Sequence, residues 1–154
     1  MYKKILVPVD GSATSDRGFQ EALSLAQQTG ATLLILHVAD TFPLTVGMEM
    51  ATADTWQQVS IALRKHGQDI VDRAHRAAVA RHVAAENRLV EGSTGQVADA
   101  IIETARLAQC DLIVMGTHGR RGFSHFALGS DAERVARQSP VPLLLVRHGE
   151  SAAQ

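Results

Sequence analysis

Short continuous apolar runs alternate along this chain with longer segments whose apolar residues recur at helical spacing. Residues 5–9 and 33–38 are such runs, 111–115 reads as a further strand, and the first run is closed by the turn signal Asp10-Gly11-Ser12. An unbroken apolar run of this length suits a strand buried on both faces, which is the habit of parallel sheets. Residues 16–29 carry Phe19, Leu23 and Ala26 on one helical stripe; Ser12, Thr14 and Ser15 are offered as N-caps and Gly30 as the stop. A longer helix places Val59, Leu63, Ile70, Ala74 and Ala77 on one face, and another carries Val97, Ile101, Ala105 and Ala108. Residues 130–138 form a last short helix, while 88–90 and 141–146 complete a set of five strands. Strands and helices in strict alternation predict an open, doubly wound α/β domain: a five-stranded parallel sheet with helices on both faces.

Composition narrows what such a domain can do. At 154 residues the chain has the length of one domain and can bury roughly 70% of its unfolded surface. Residues 1–147 are expected to form that domain and 148–154 a flexible tail. Fifteen Lys and Arg face sixteen Asp and Glu, which leaves no excess of cations to displace counterions from a polyanion. Aromatics are 4% of the chain, too few for a base-stacking platform. No nucleic-acid partner is therefore expected. Cys110 is the single cysteine, so an internal disulfide framework and a multi-cysteine metal site are both excluded. The first apolar run is too short for a leader peptide, and no stretch reaches the ~20 residues of a membrane span. The expectation is a cytoplasmic protein with no membrane insertion.

The last strand carries a further message. Pro140 and Pro142 cannot donate to a sheet ladder, so the segment from Val141 to Val146 suits an edge. It is also too apolar to be left open to water. A second copy of the chain covering it, giving a homodimer, is expected over burial beneath the chain's own helices.

The chemistry concentrates after the fourth strand. Gly116-Thr117-His118-Gly119-Arg120-Arg121-Gly122 is followed by Gly129-Ser130 at a helix start. Glycines let backbone N–H groups approach an anion closely. A helix N-terminus adds unpaired N–H groups and a positive dipole end, with the Ser130 hydroxyl as a further donor. A plain turn with Ser130 capping its own helix is the competing reading. No G-x-x-x-x-G-K-[ST] run is present, and no G-x-G-x-x-G follows the first strand. The first turn also lacks the glycine run of adenylating synthetases.

Gly116, two residues, Gly119, nine residues, then Gly129-Ser130 resembles the signature of the universal stress protein family in its ATP-binding branch. The likeness covers nearly the whole chain. Ile5-Leu6-Val7-Pro8-Val9-Asp10-Gly11-Ser12 is similar to the family's first strand and turn, and Leu34-Ile35-Leu36-His37-Val38 to its second strand. Asp111-Leu112-Ile113-Val114-Met115-Gly116 is similar to the fourth strand, and the stretch from Gly129-Ser130 through Val146 to the closing helix and strand. The resemblance implies a strand order of 3-2-1-4-5 and a regulatory or stress-response module that binds ATP or AMP. It implies that the Val38 backbone reads the adenine edge. Pro8 and Asp10 would line the adenosine end, with Asp10 near the ribose or a metal-bound water. Met115 and Gly116 would floor the ribose and α-phosphate; Gly119, Gly129, Ser130 and the Asp131 backbone would anchor phosphates. In that order the first and fourth strands are neighbours where the winding reverses, the place where open α/β sheets bind ligands.

Asp131 departs from the family pattern, which commonly has an uncharged residue there. Its carboxylate suits a helix start; it could also repel a terminal phosphate or hold a Mg²⁺ or Mn²⁺ ion bridging phosphates. The choice between ATP and AMP stays open on this ground. His118, Arg120 and Arg121 read as exposed. His75 and His82, with Arg73, Arg76 and Arg81, read as a solvated face rather than a metal site. Cys110 reads as packing, and Phe123, Phe126 and Leu128 as fastening the glycine loop. Phosphoryl transfer needs charge at the γ-phosphate and a positioned nucleophile. The only lysines are Lys3 and Lys4, at the far end of the first strand, and Lys65 in mid-helix. No Ser-His-Asp set is recognisable, so a binding protein is expected; slow metal-dependent ATP hydrolysis or phosphotransfer is the alternative. Nothing in the long loop over 39–53 names a ligand.

Overall fold

A computed structural model describes residues 1–40, 52–92, 96–117 and 128–147. Strand β1 (Lys4–Pro8) leads through the Asp10 turn into helix α1 (Ala13–Thr29), followed by β2 (Thr32–Asp40) and the long helix α2 (Ala53–Ala80). Then come β3 (Ala85–Gly92), α3 (Val97–Leu107), β4 (Leu112–Gly116), α4 (Ser130–Gln138) and β5 (Leu143–Val146). All strand pairings are parallel and the order is β3-β2-β1-β4-β5. The doubly wound sheet and its 3-2-1-4-5 order are as expected.

The two faces of the sheet bury different helices. Ile5, Val7, Leu33, Ile35, Leu112 and Val114 pack against Phe19, Ala22 and Leu23 of α1 and Ile70, Val71 and Ala78 of α2. Leu6, Leu34, Leu36, Ile113 and Met115, the alternate positions on the same strands, pack against Ala98, Ile101 and Ala105 of α3 and Ala132 and Val135 of α4. Period-two alternation in a strand sends neighbours to opposite faces, so two apolar layers demand the unbroken apolar runs read in the sequence.

Helix boundaries follow local chemistry. Of the three hydroxyls offered before α1, Ser12 is the N-cap: its Oγ accepts the Ser15 N–H at 3.2 Å. Gly30 ends the helix at φ 72°, its N–H returning to the Ala26 carbonyl. Thr52 caps α2 in the same manner, accepting from the Thr55 N–H. Asp111, expected inside β4, stands just before it; its carboxylate accepts the Lys3 and Lys4 N–H groups at 2.7 and 3.1 Å. It thereby ties the start of β1 to the start of β4.

Several bounds differ from expectation. Strand β2 includes Ala39 and Asp40, which the sequence places in a loop. Strand β3 has eight residues rather than three, paired with β2 from Ala85 to Gly92. Strand β5 starts at Leu143, because Pro142 has no N–H for the ladder and Ser139 folds the chain around Val141. Ala108 is the C-cap of α3 rather than a helical residue. The loop over 41–51, the turn 93–95, the glycine-loop residues 118–127 and the tail 148–154 lie outside the described residues. Among the described residues no helix is long and apolar enough to cross a membrane.

Candidate functional site

The C-terminal ends of β1, β2 and β4 lie along one edge of the parallel sheet, and β1 and β4 are adjacent at its centre. Helix α1 leaves β1 for one face, and α4 follows β4 on the other. The strand ends therefore flank the crevice in which sheets of this kind take ligands.

After β1, three residues form a closed ring of hydrogen bonds. The Ser12 N–H donates to Asp10 Oδ1 at 2.9 Å, making an Asx turn. The Ser15 N–H donates to Ser12 Oγ, and the Asp10 N–H donates to Ser15 Oγ at 3.1 Å. Gly11, at φ 79°, supplies the left-handed residue that lets the turn close. Asp10 is thus half-buried at the strand end with its backbone and one carboxylate oxygen fixed.

Beyond β4, Thr117 is a hinge between three elements. Its N–H donates to the Val146 carbonyl of β5, and its own carbonyl accepts the Gly129 N–H, both at 2.9 Å. That second bond returns the chain to the end of β4 after the glycine loop and seats the N-terminus of α4 there. Gly129, in extended conformation, is the N-cap, and as a glycine it offers no side chain to the first turn. Ser130, a cap of its own helix in the competing reading, is instead the first helical residue, exposed, with Asp131 half-buried behind it. Arg134 of α4 pairs with Asp99 of α3 at 2.8 Å and fixes the helix against its neighbour.

Close backbone approach sets the spacing between the two halves. A Cβ on Gly116 would lie 2.8 Å from the Thr14 carbonyl oxygen, and one on Gly18 would lie 3.0 Å from the Gly116 nitrogen. The first turns of α1 therefore rest directly on the end of β4.

Of the residues singled out in the sequence, Pro8 ends β1 and Val38 stands near the end of β2, both half-buried. Met115 and Gly116 are buried at the end of β4. With Asp10, Gly129, Ser130 and Asp131 they share the C-terminal edge of the sheet; Gly119 lies outside the described residues, as do His118, Arg120, Arg121, Phe123 and Phe126. Sequence reading missed Thr117, Thr14 and Gly18, whose parts are backbone contacts between elements. Cys110 is buried in the layer under α3 and α4, and burial pushes its thiol pKa up. His75 is half-buried and its Nε2 donates to the Ala85 carbonyl. Among the described residues no group of three or more His, Cys, Asp or Glu is placed to hold a metal ion.

The family model described as "Universal stress protein family" matches residues 1–147. The chain belongs to the universal stress protein family. Its relatives include a universal stress protein of Methanocaldococcus jannaschii, 33% identical over 147 residues that cover 96% of this chain and 83% of that one. A solved universal stress protein from Burkholderia pseudomallei is 33% identical, with a TM-score of 0.75 over 94% of this chain and 95% of its own. Another, solved in complex with cAMP, is 26% identical with a TM-score of 0.68, covering 96% of this chain and 99% of that one.

Proposed function

We propose that this universal stress protein binds one adenine nucleotide, ATP or AMP, at the C-terminal edge of its sheet and acts as a regulatory or stress-response module. One observation carries the reading: the bond from the Gly129 N–H to the Thr117 carbonyl sets the glycine-capped N-terminus of α4 beside the ends of the central strands. First-turn N–H groups and the dipole end favour an anion there. The family membership and the cAMP complex of a relative support adenine as the base.

In this reading the Val38 backbone meets the adenine edge, and Pro8 and Asp10 line the adenosine end. Met115 and Gly116 floor the ribose and α-phosphate, and Gly119, Gly129, Ser130 and the Asp131 backbone hold phosphates. A Mg²⁺ or Mn²⁺ ion would ride on the phosphates themselves, with Asp10 or Asp131 as a carboxylate neighbour. Turnover is not part of the proposal. Lys4 stands at the opposite end of β1, paired with Glu86, and Lys65 is exposed on α2. Lys4 is thereby placed away from the strand ends where a γ-phosphate would lie.

The same reading includes a homodimer through β5. The sheet's two edges differ: β3 carries Glu86, Arg88 and Glu91, which guard an edge against pairing, whereas β5 is Leu143-Leu144-Leu145-Val146. Leu144 is 36% exposed there.

Denaturing the purified protein and identifying released small molecules by mass spectrometry tests the nucleotide reading. An adenine nucleotide carried through purification is the expected result. An empty protein that also takes up neither ATP nor AMP would contradict it.

A further inference from the structure

The peptide unit joining Val9 to Asp10 is held at both polar ends by side chains from different elements. Its carbonyl, on Val9, accepts a hydrogen bond from His37 Nδ1 at 2.7 Å. Its N–H, on Asp10, donates to Ser15 Oγ at 3.1 Å. A carbonyl has no proton to give, so His37 carries its hydrogen on Nδ1 in this contact. Both side chains are buried, at 4% exposure for His37 and 6% for Ser15.

The supports behind the two side chains are firm. His37 belongs to β2 and its ring lies against α2: a Cβ on Gly67 would stand 2.6 Å from its Cδ2. Ser15 belongs to the first turn of α1 and takes part in the ring that returns through Ser12 to the Asp10 carboxylate. Turning the Val9–Asp10 peptide plane breaks at least one of these bonds and leaves a buried polar group unsatisfied. That plane sets φ of Asp10, and with it the direction in which the carboxylate leaves the strand end.

We infer that His37 and Ser15 are positioning residues which clamp the Val9–Asp10 peptide from β2 and α1, aim the Asp10 carboxylate at the ribose hydroxyls, and so set the preference for a hydroxylated ribose. The inference rests on the nucleotide reading above. Neither residue touches the nucleotide; both act through Asp10. A purely structural role would weaken every nucleotide alike, whereas a positioning role changes the ratio between nucleotides that differ only at the ribose.

Calorimetric titration with ATP and with 2′,3′-dideoxy-ATP separates the two. The wild-type chain is expected to prefer ATP by about tenfold or more, the worth of a hydrogen bond to a charged group. Ser15→Ala and His37→Leu are expected to shrink that preference to within about threefold of the Asp10→Ala variant, while affinity for the dideoxy nucleotide holds. His37→Asn, which keeps an N–H donor near the place of Nδ1, is expected to retain most of it. Should His37→Leu fail to fold, Ser15→Ala and His37→Asn still decide the matter. A wild-type preference left intact in Ser15→Ala overturns the clamp, as does a wild-type chain that binds both nucleotides equally. A wild-type chain that binds neither removes the nucleotide reading, and the clamp with it.

Discussion

His82 and Gln109 hold φ of 58° and 53° at the ends of α2 and α3, where a glycine is more at ease. In each case the next N–H returns to the helix, Val83 to Ala78 and Cys110 to Ala105, so the left-handed residue is what lets the helix close. His82→Gly and Gln109→Gly are each expected to raise stability by up to about 1 kcal/mol in urea denaturation, because the side chain strains that conformation. Neither position was legible beforehand: histidine and glutamine carry no turn signal, and the need for positive φ arises only once the following strand must be reached. Ser130 shows the reverse case. A serine beside a glycine before a helical stripe reads as a cap by type, yet the backbone begins the helix one residue earlier than a cap there would require, at Ser130 itself. Cys110 matches its reading as packing, and its buried thiol has a raised pKa. Ellman's reagent at pH 8 is expected to react slowly with the native chain and quickly after denaturation, since the thiolate is the reactive form. Equal rates in both states would contradict its burial.

At the scale of elements, the strands buried on both faces were the legible ones, because two apolar layers leave an unbroken run in the sequence. Strand β3 was not, since at the sheet's edge it presents Glu86, Asn87 and Arg88 and leaves only Leu89-Val90 as an apolar trace. Its length is set by the ladder to β2, a partner that no local pattern reveals. Contacts between elements also decide two glycines. Alanine is better than glycine inside a helix by about 1 kcal/mol, yet Gly67→Ala is expected to destabilise the chain. Its methyl would meet the buried His37 ring and the Leu89 side chain, and overpacking costs about 1–3 kcal/mol. A higher melting temperature for Gly67→Ala would show that the α2–β2 contact is looser than described. Gly116→Ala would drive its methyl into the Thr14 backbone, and a loss of similar size is expected in denaturant titration. The candidate site was legible as motifs at the ends of strands. The bonds that assemble it, from Thr117 to Gly129 and from Ser15 and His37 to the Val9–Asp10 peptide, join distant positions or different elements and leave no pattern of spacing.

For the whole molecule, alternation of strand and helix was enough to predict the doubly wound sheet, and the order of strands came through resemblance to the family. The order matters because it puts β1 and β4 side by side and leaves β5 at an edge. If β5 pairs with a second copy, Leu144→Lys places a charge where two apolar edges would meet. Sedimentation is then expected to show a dimer for the wild-type chain and a monomer for the variant; a wild-type monomer would contradict pairing through β5. The net charge of −1 gives no hint of an anion site, because the groups proposed to hold the phosphates are backbone N–H groups and a helix end. The most direct test of that site is calorimetric titration of the full chain with ATP and AMP. Saturation at one nucleotide per chain, with affinity lowered about fivefold by loss of the Ser130 hydroxyl in Ser130→Ala, is the expected result. A folded chain that gives no heat of binding with either nucleotide at millimolar concentration would contradict it.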